Sequence, residues 1–295
     1  MRVSSITKNA GKACNNRLYR HIRTFEKIVK NYFVIYRNTS DIFEDDLQEY
    51  IESGNYTYED DILPLLNRVQ GHPFLETLHT SFVRVTNGLN QRIIDCFAHE
   101  LEIDIVLYLG LCNAAGWVTD INGRDVILLG IEKILELSWY DEDSMYGLIY
   151  HELGHIYHKQ YGAFEQKGRN QSQNLIWQLF TEGIAMYFEQ LLMNDLCYYH
   201  QNKDGWKDWC DAHFQQILMD FQADLPAMTR FNQRYFGDWV DYCGRADVGY
   251  YLGARFVQDL CGRYDFEQLI RLEIEEVTRE FFRFAEENHA CDDNR

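Results

Sequence analysis

Proline is nearly missing from this chain, three residues in 295, and no stretch rich in Pro, Gly and Ser interrupts it. Nothing in the composition therefore marks a flexible linker. No CxxC pair occurs among the eight cysteines, Cys14, Cys96, Cys112, Cys197, Cys210, Cys243, Cys261 and Cys291. A cysteine-based structural zinc site is not signalled, and scattered thiols of this kind are expected to be small core residues in a reducing compartment. No run approaches the roughly 18 uninterrupted apolar residues of a membrane span. Basic charge is short as well: 28 Lys and Arg stand against 46 Asp and Glu, a net charge of −18. That field repels a phosphate backbone, so nucleic acid is not an expected partner. The N-terminal segment has basic residues but no apolar core, which predicts no signal peptide and a cytoplasmic location.

What is present is a globular composition, 46% hydrophobic and 25% charged, in a chain long enough for one large domain or two lobes. No internal repeat of fixed period occurs. Residues 15–36 read as a basic and aromatic helix, and the acidic stretch 41–61, with Asp45, Asp46, Glu49, Glu59 and Asp60, reads as a solvated face. Residues 89–101 have helical spacing, with Ile93, Ile94, Phe97 and Leu101 on one side. Then the period changes. Residues 104–112 and 125–131 are short apolar runs, and Asn122-Gly123 lies between them, which predicts an antiparallel pair. Beyond about residue 141 the pattern is helical almost to the end. The expected class is α+β: a mostly helical region 1–103, then a region 104–295 with a small antiparallel or mixed sheet followed by helices.

Residues 151–155 read His-Glu-Leu-Gly-His. Positions four apart share one helical face, so His151 and His155 can bind one metal ion together. Glu152 lies about 100° round the helix and can reach a water at that ion without ligating it. Ser144 or Asp143 is placed to cap the helix, expected over about 144–160. Gly154 costs about 1 kcal/mol of helix propensity, which suits a point of close backbone approach. Chance gives on the order of 0.03 such motifs per chain of this composition. His99-Glu100 begins the same way, but Ile103 takes the fifth place, so that pair reads as helix surface.

A catalytic zinc site needs a third protein ligand and one open position. The extended histidine motif would require His where Tyr161 stands and Gly where His158 stands, so it is excluded. His158, about 10 Å along the axis from His151, reads as a supporting or solvent-facing residue. A carboxylate on the helix at about 174–193 is the better candidate. Glu182 lies between Phe180 and Ile184, and Glu189 is its rival, seven residues on and nearly on the same face. Gly183 would let the two helices approach closely, which favours Glu182.

HELGH followed by a helix carrying Glu182-Gly183-Ile184-Ala185 resembles the gluzincin metallopeptidases. Within them the chain resembles predicted zinc-dependent proteases with a later G-Y-x-L-G segment, here Gly249-Tyr250-Tyr251-Leu252-Gly253. The likeness covers residues 105–260. It implies Zn2+ held by His151, His155 and Glu182, a peptide or protein substrate, Glu152 as general base and Tyr250 as donor to the oxyanion. It also implies an edge strand at 125–131 that pairs with extended peptide. The interval from His155 to Glu182 is longer than in the best-known gluzincins, so a loop at 160–173 must fit between the helices. Met186 occupies the place where thermolysin-like enzymes keep an acid that orients a ligating imidazole, so that acceptor lies elsewhere.

Glu132 has a loose likeness to the acid by which aminopeptidases hold a free amine, although a cap or a solvent-facing acid is the plainer reading. Trp117, in the segment 113–117, reads as cleft wall or core. The C-terminal aromatics Trp206, Trp209, Phe214, Phe221, Phe231, Tyr235, Phe236 and Trp239 recur near helical spacing and are expected mostly in the core. Two alternatives to peptide hydrolysis stay open at this level: a zinc hydrolase of another amide or ester, and an inactive metal-binding regulator.

Overall fold

The computed structural model describes residues 48, 52, 57–111, 114–121, 123–229, 231–237 and 239–289. The helix expected at 15–36 and most of the acidic stretch lie outside them, as do Cys14, Cys112 and Cys291. The chain divides into two compact units, Met1–Ile149 and Tyr150–Arg295. Among the described residues no helix is long and apolar enough to cross a membrane. The class is α+β, mostly helical with one small mixed sheet.

In the first unit, a π-helical turn at Tyr58–Ile62 leads into α1 (Leu63–Gln70), followed by α2 (Leu75–Thr86) and α3 (Leu89–Phe97). The last is shorter than its periodicity suggests. Ala98 takes a left-handed conformation and closes it, while Leu101 stays buried beyond the helix. Three strands follow, β1 (Asp104–Tyr108), β2 (Gly116–Asp120) and β3 (Asp125–Gly130), in the order β1-β3-β2. β1 pairs with β3 in parallel, Asp104 opposite Val126, and β2 pairs with β3 in antiparallel fashion.

The expected antiparallel pair is thus corrected. β2, a half-exposed strand whose sequence GWVTD lacks a long apolar run, is the hairpin partner of β3. β3 is accordingly the central strand, paired on both sides and not the edge strand expected to take up peptide. Trp117 donates its indole N–H to the Tyr108 hydroxyl at 2.8 Å and packs against the cluster of Val106, Tyr108, Val126 and Leu128, so it belongs to the core of this unit.

Glu132, on α4 (Ile131–Glu136), is neither a solvent-facing acid nor an open amine site. Its buried carboxylate accepts the backbone N–H groups of Gly110 at 2.9 Å and Leu111 at 3.1 Å, tying down the loop after β1. That loop needs an external acceptor because Leu111 sits at φ +52° and its N–H makes no ladder bond.

α5 (Glu142–Tyr161) contains the boundary between the units. Its start is held by Asp141, upstream of the expected caps Asp143 and Ser144: the Asp141 carboxylate accepts from the Ser144 N–H at 2.9 Å and the Ser144 hydroxyl at 2.8 Å. Glu142 and Asp143 in the first turn favour the positive end of the helix dipole.

The second unit holds the rest of α5, then α6 (Gln171–Met193), α7 (Trp206–Ala212), α8 (Phe214–Asp224), α9 (Val248–Leu260), α10 (Phe266–Leu269) and α11 (Ile274–His289). Asn170 caps α6 by accepting the Gln173 N–H, and Asn194, left-handed at φ 55°, ends it. The segment between α5 and α6 is shorter than expected because both helices run longer. It is fastened by the Ala163 N–H to the Ile270 carbonyl at 2.7 Å and the Trp177 indole N–H to the Phe164 carbonyl at 3.1 Å.

α6 and α9 pack backbone to backbone. A Cβ on Gly253 would lie 2.6 Å from the Leu179 carbonyl oxygen and 3.0 Å from the Gly183 nitrogen. The glycine after Glu182 therefore serves contact with α9, not with α5 as its position suggests. Around this contact Phe180, Phe256, Phe281 and Phe284 interlock. Of the eight C-terminal aromatics, Trp206, Phe214, Phe221, Tyr235 and Phe236 are buried, Trp209 is half-buried, and Phe231 and Trp239 are exposed.

Two outcomes are expected. Gly253→Ala must force the two backbones apart, lowering stability by about 1–3 kcal/mol in urea unfolding; a wild-type midpoint would contradict this packing. Burial pushes the Glu132 carboxyl up to about 7 from its ordinary 4.5, against the pull of its N–H partners. Between those values the unfolded chain has lost this proton while the folded chain keeps it. Stability attributable to Glu132 thus falls by about 3 kcal/mol as pH rises through the window, and levels off above it. Glu132→Gln should lack that slope, and identical stability–pH profiles for the two proteins would contradict the placement.

Candidate metal centre

His151, Glu152 and His155 occupy the middle of α5 as the motif requires, all within the second unit. The two imidazoles lie nearly perpendicular, ring centres 4.8 Å apart. From α6, Glu182 places its Oε2 3.2 Å from Nε2 of His151 and 3.2 Å from Nε2 of His155. The structure thus brings the three expected ligand residues together, with donor atoms that all lie within 4.8 Å of one another. Helix-to-helix distance makes this possible: a Cβ on Gly154 would sit 2.7 Å from the Ala185 Cα, so only glycine lets α5 come this near α6.

Glu189 is also at the site, but on the far side of His151. Its Oε2 is 3.8 Å from Nδ1 of His151 and 2.9 Å from Nδ1 of His200. His151, Glu189 and His200 form a second group of donor atoms within 4.8 Å of one another, so this cluster too can hold a metal ion. The two groups differ in access. The side chains of His155 and Glu182 are 14% and 18% exposed, those of His151 and Glu189 6% and 0%. Water reaches the Glu182 side and not the Glu189 side.

The charges are unusual. Among the described residues no Lys or Arg pairs with Glu152, Glu182 or Glu189. Burial opposes ionisation of Glu182, yet the adjacent His155 and His151 overcome it and hold the carboxyl well below its ordinary range. Burial raises Glu152 to about 7, with His155 pulling down and Glu182 pushing up. Burial likewise drives Glu189 well above the usual carboxylate range, against His151 and the His200 N–H. For His151 burial outweighs the hydrogen bond to Glu182 and lowers its pKa. His155 is raised, because Glu182 and Glu152 together outweigh its burial. Neutral imidazole with a free lone pair is the ligand form of histidine, and His151 is biased toward it.

These residues fit a divalent cation. Two imidazole nitrogens and one carboxylate oxygen are a donor set suited to zinc, and among the described residues no Lys or Arg balances the half-buried Glu182 or the buried Glu152 and Glu189. Nδ1 of His151 and Nδ1 of His155 are buried without a hydrogen-bond partner, so neither ring is committed to a structural network through that atom.

His158 is corrected. It is fully buried, not solvent-facing, and packs among Phe164, Trp177 and Phe180. Burial and the nearby His155 lower it to about 3, so it is a neutral core residue outside the ligand set. Tyr250 lies with its ring edge-on to His151 at 5.5 Å and also packs against Phe236. Met186 is buried, with its sulfur 3.8 Å from the Gln201 amide nitrogen, and plays no part in orienting the imidazoles.

His200 is the site residue that sequence reasoning passes over. It stands beyond the left-handed Asn194, in a segment without periodicity, where only the tertiary turn brings it back along α6. Compared with family models, curated proteins and solved structures, the chain matches none.

Removing a ligand should remove the ion. His151→Ala and Glu182→Ala are expected to lose stoichiometric zinc after dialysis, measured by elemental analysis against folded wild type; zinc retained by either would refute the ligand set.

Proposed function

We propose that the chain is a gluzincin-type zinc peptidase, with Zn2+ held by Nε2 of His151, Nε2 of His155 and a carboxylate oxygen of Glu182. The observation that carries this reading is the convergence of those three atoms on the solvent-accessible side of the cluster, beside Glu152. The ion, when bound, supplies the Lewis acidity that makes water nucleophilic near neutral pH and polarises a carbonyl.

Glu152 is buried next to the ligand residues, and among the described residues no hydrogen bond or ion pair engages its carboxylate. A purely structural metal site has no need of such an acid. Glu152 takes a proton from the attacking water at a carboxylate oxygen and delivers it to the leaving amine. Tyr250, half-buried beside His151, is the donor we assign to the oxyanion that develops on the scissile carbonyl. The position of Glu152 on α5, one residue from His151, holds it to one side of the ligand pair instead of between them.

Glu152→Gln separates catalysis from metal binding. The variant is expected to keep its zinc and to lose hydrolysis of a mixed peptide library by about 100-fold or more. A zinc-loaded wild type that cleaves no peptide would end this reading in favour of a metal-binding regulator. Cleavage of ester or non-peptide amide substrates alone would move it to another hydrolase.

A further inference from the structure

We infer that His200 is a positioning residue of the metal centre: it fixes the carboxyl group of Glu189 behind Nδ1 of His151, as the acceptor toward which that nitrogen's proton is directed, and so leaves Nε2 of His151 as the lone pair facing the ion. This rests on the reading of His151 as a ligand. Glu189 is completely buried, and no Lys or Arg among the described residues pairs with it. His200 supplies both its oxygens: the backbone N–H donates to Oε1 at 3.2 Å, and Nδ1 lies 2.9 Å from Oε2. A carboxylate gripped at both oxygens by one residue cannot swing about its own axis. Its free lone pairs are left for His151, whose buried Nδ1 lies 3.8 Å from Oε2, beyond hydrogen-bond length, and makes no other hydrogen bond. The two rings stand 5.5 Å apart at 66°, on either side of the carboxylate.

An acceptor behind a ligating imidazole sets its tautomer and its angle. The chain replaces the acid missing at Met186 with one a further turn along α6, and the longer reach calls for a second clamp. His200 is that clamp. The same atoms can in principle hold an ion of their own, but their pocket is closed to solvent, as the Glu182 side is not.

Zinc affinity by chelator competition and the absorption spectrum of the Co2+ form test this in wild type, His200→Ala and His200→Asn. Wild type should bind one Co2+ per chain. His200→Ala should bind zinc about 10–100-fold more weakly with altered cobalt bands. His200→Asn, whose amide nitrogen can stand where Nδ1 does, should recover most of both. Wild-type affinity and bands in His200→Ala would overturn the inference while leaving the metal centre intact. Absence of Co2+ binding by the wild type would remove the metal centre itself, and this inference with it. Two Co2+ per chain, one of them lost in His200→Ala, would overturn it in favour of a separate buried ion. If His200→Ala does not fold by circular dichroism, 15N-histidine spectra of zinc-loaded wild type decide: protons on Nδ1 of both His151 and His200 support the clamp, and a bare Nδ1 on His151 overturns it.

Discussion

Three acids gathered together, two buried and one half-buried, with no Lys or Arg among the described residues to pair with them, is the constraint around which the second unit is organised. Removing an ionised carboxylate from water costs several kcal/mol, and an attractive partner must offset it. Here the partners are imidazoles alone. They divide the acids: Glu182, between two rings, is held ionised, while Glu152 and Glu189 are pushed toward their neutral forms. An arrangement that gathers acids around imidazoles with no fixed cation to match them is a weak way to stabilise a fold and a good way to attract a divalent cation.

The cluster depends on backbone distances that side chains do not permit. Gly154 stands between the two histidines of α5 and meets Ala185, three residues past Glu182. Any side chain there would push α6 away and carry Glu182 with it. On its other face α6 is pressed against α9 through Gly183 and Gly253, so the helix that bears Glu182 and Glu189 is fixed from both sides. Interiors packed at this density transmit small displacements instead of absorbing them. Gly154, Gly183 and Gly253 thus serve one purpose, a stack of three closely spaced helices, and the candidate site residues ride on it.

Much of this is legible in the sequence where one element carries the whole pattern. Histidines four apart on a helix announce themselves, as does an acid set among apolar neighbours at Glu182. What sequence hides is pairing across distance. The parallel register of β1 and β3 is invisible because β2, half-exposed and opened by Gly116, has too little apolar character to stand out as a strand. Gly183 reads as a contact with α5, since nothing in its neighbourhood points to residues seventy positions later. His200 carries no spacing signal at all, and Glu189, recognised as an acid on the right face, takes a different partner from the one its face implies.

His151 is the hinge between a wet and a dry half of the cluster, and that asymmetry assigns its two nitrogens. Nε2 faces the side shared with His155 and Glu182, where side chains keep some exposure; Nδ1 faces Glu189, which has none. Only the first side is open to solvent. The second group of donors lies in a region from which solvent is excluded, so an ion held there would have no open position for a water molecule. Its atoms form the buried wall behind the His151 ring. The setting of His151 then follows from solvent access and from its Nε2 contact with Glu182, without appeal to any motif. The same reasoning explains why Glu189, nearly on the same helical face as Glu182, is not its equivalent: seven residues along α6 suffice to carry a carboxylate from the open side of one imidazole to the closed side.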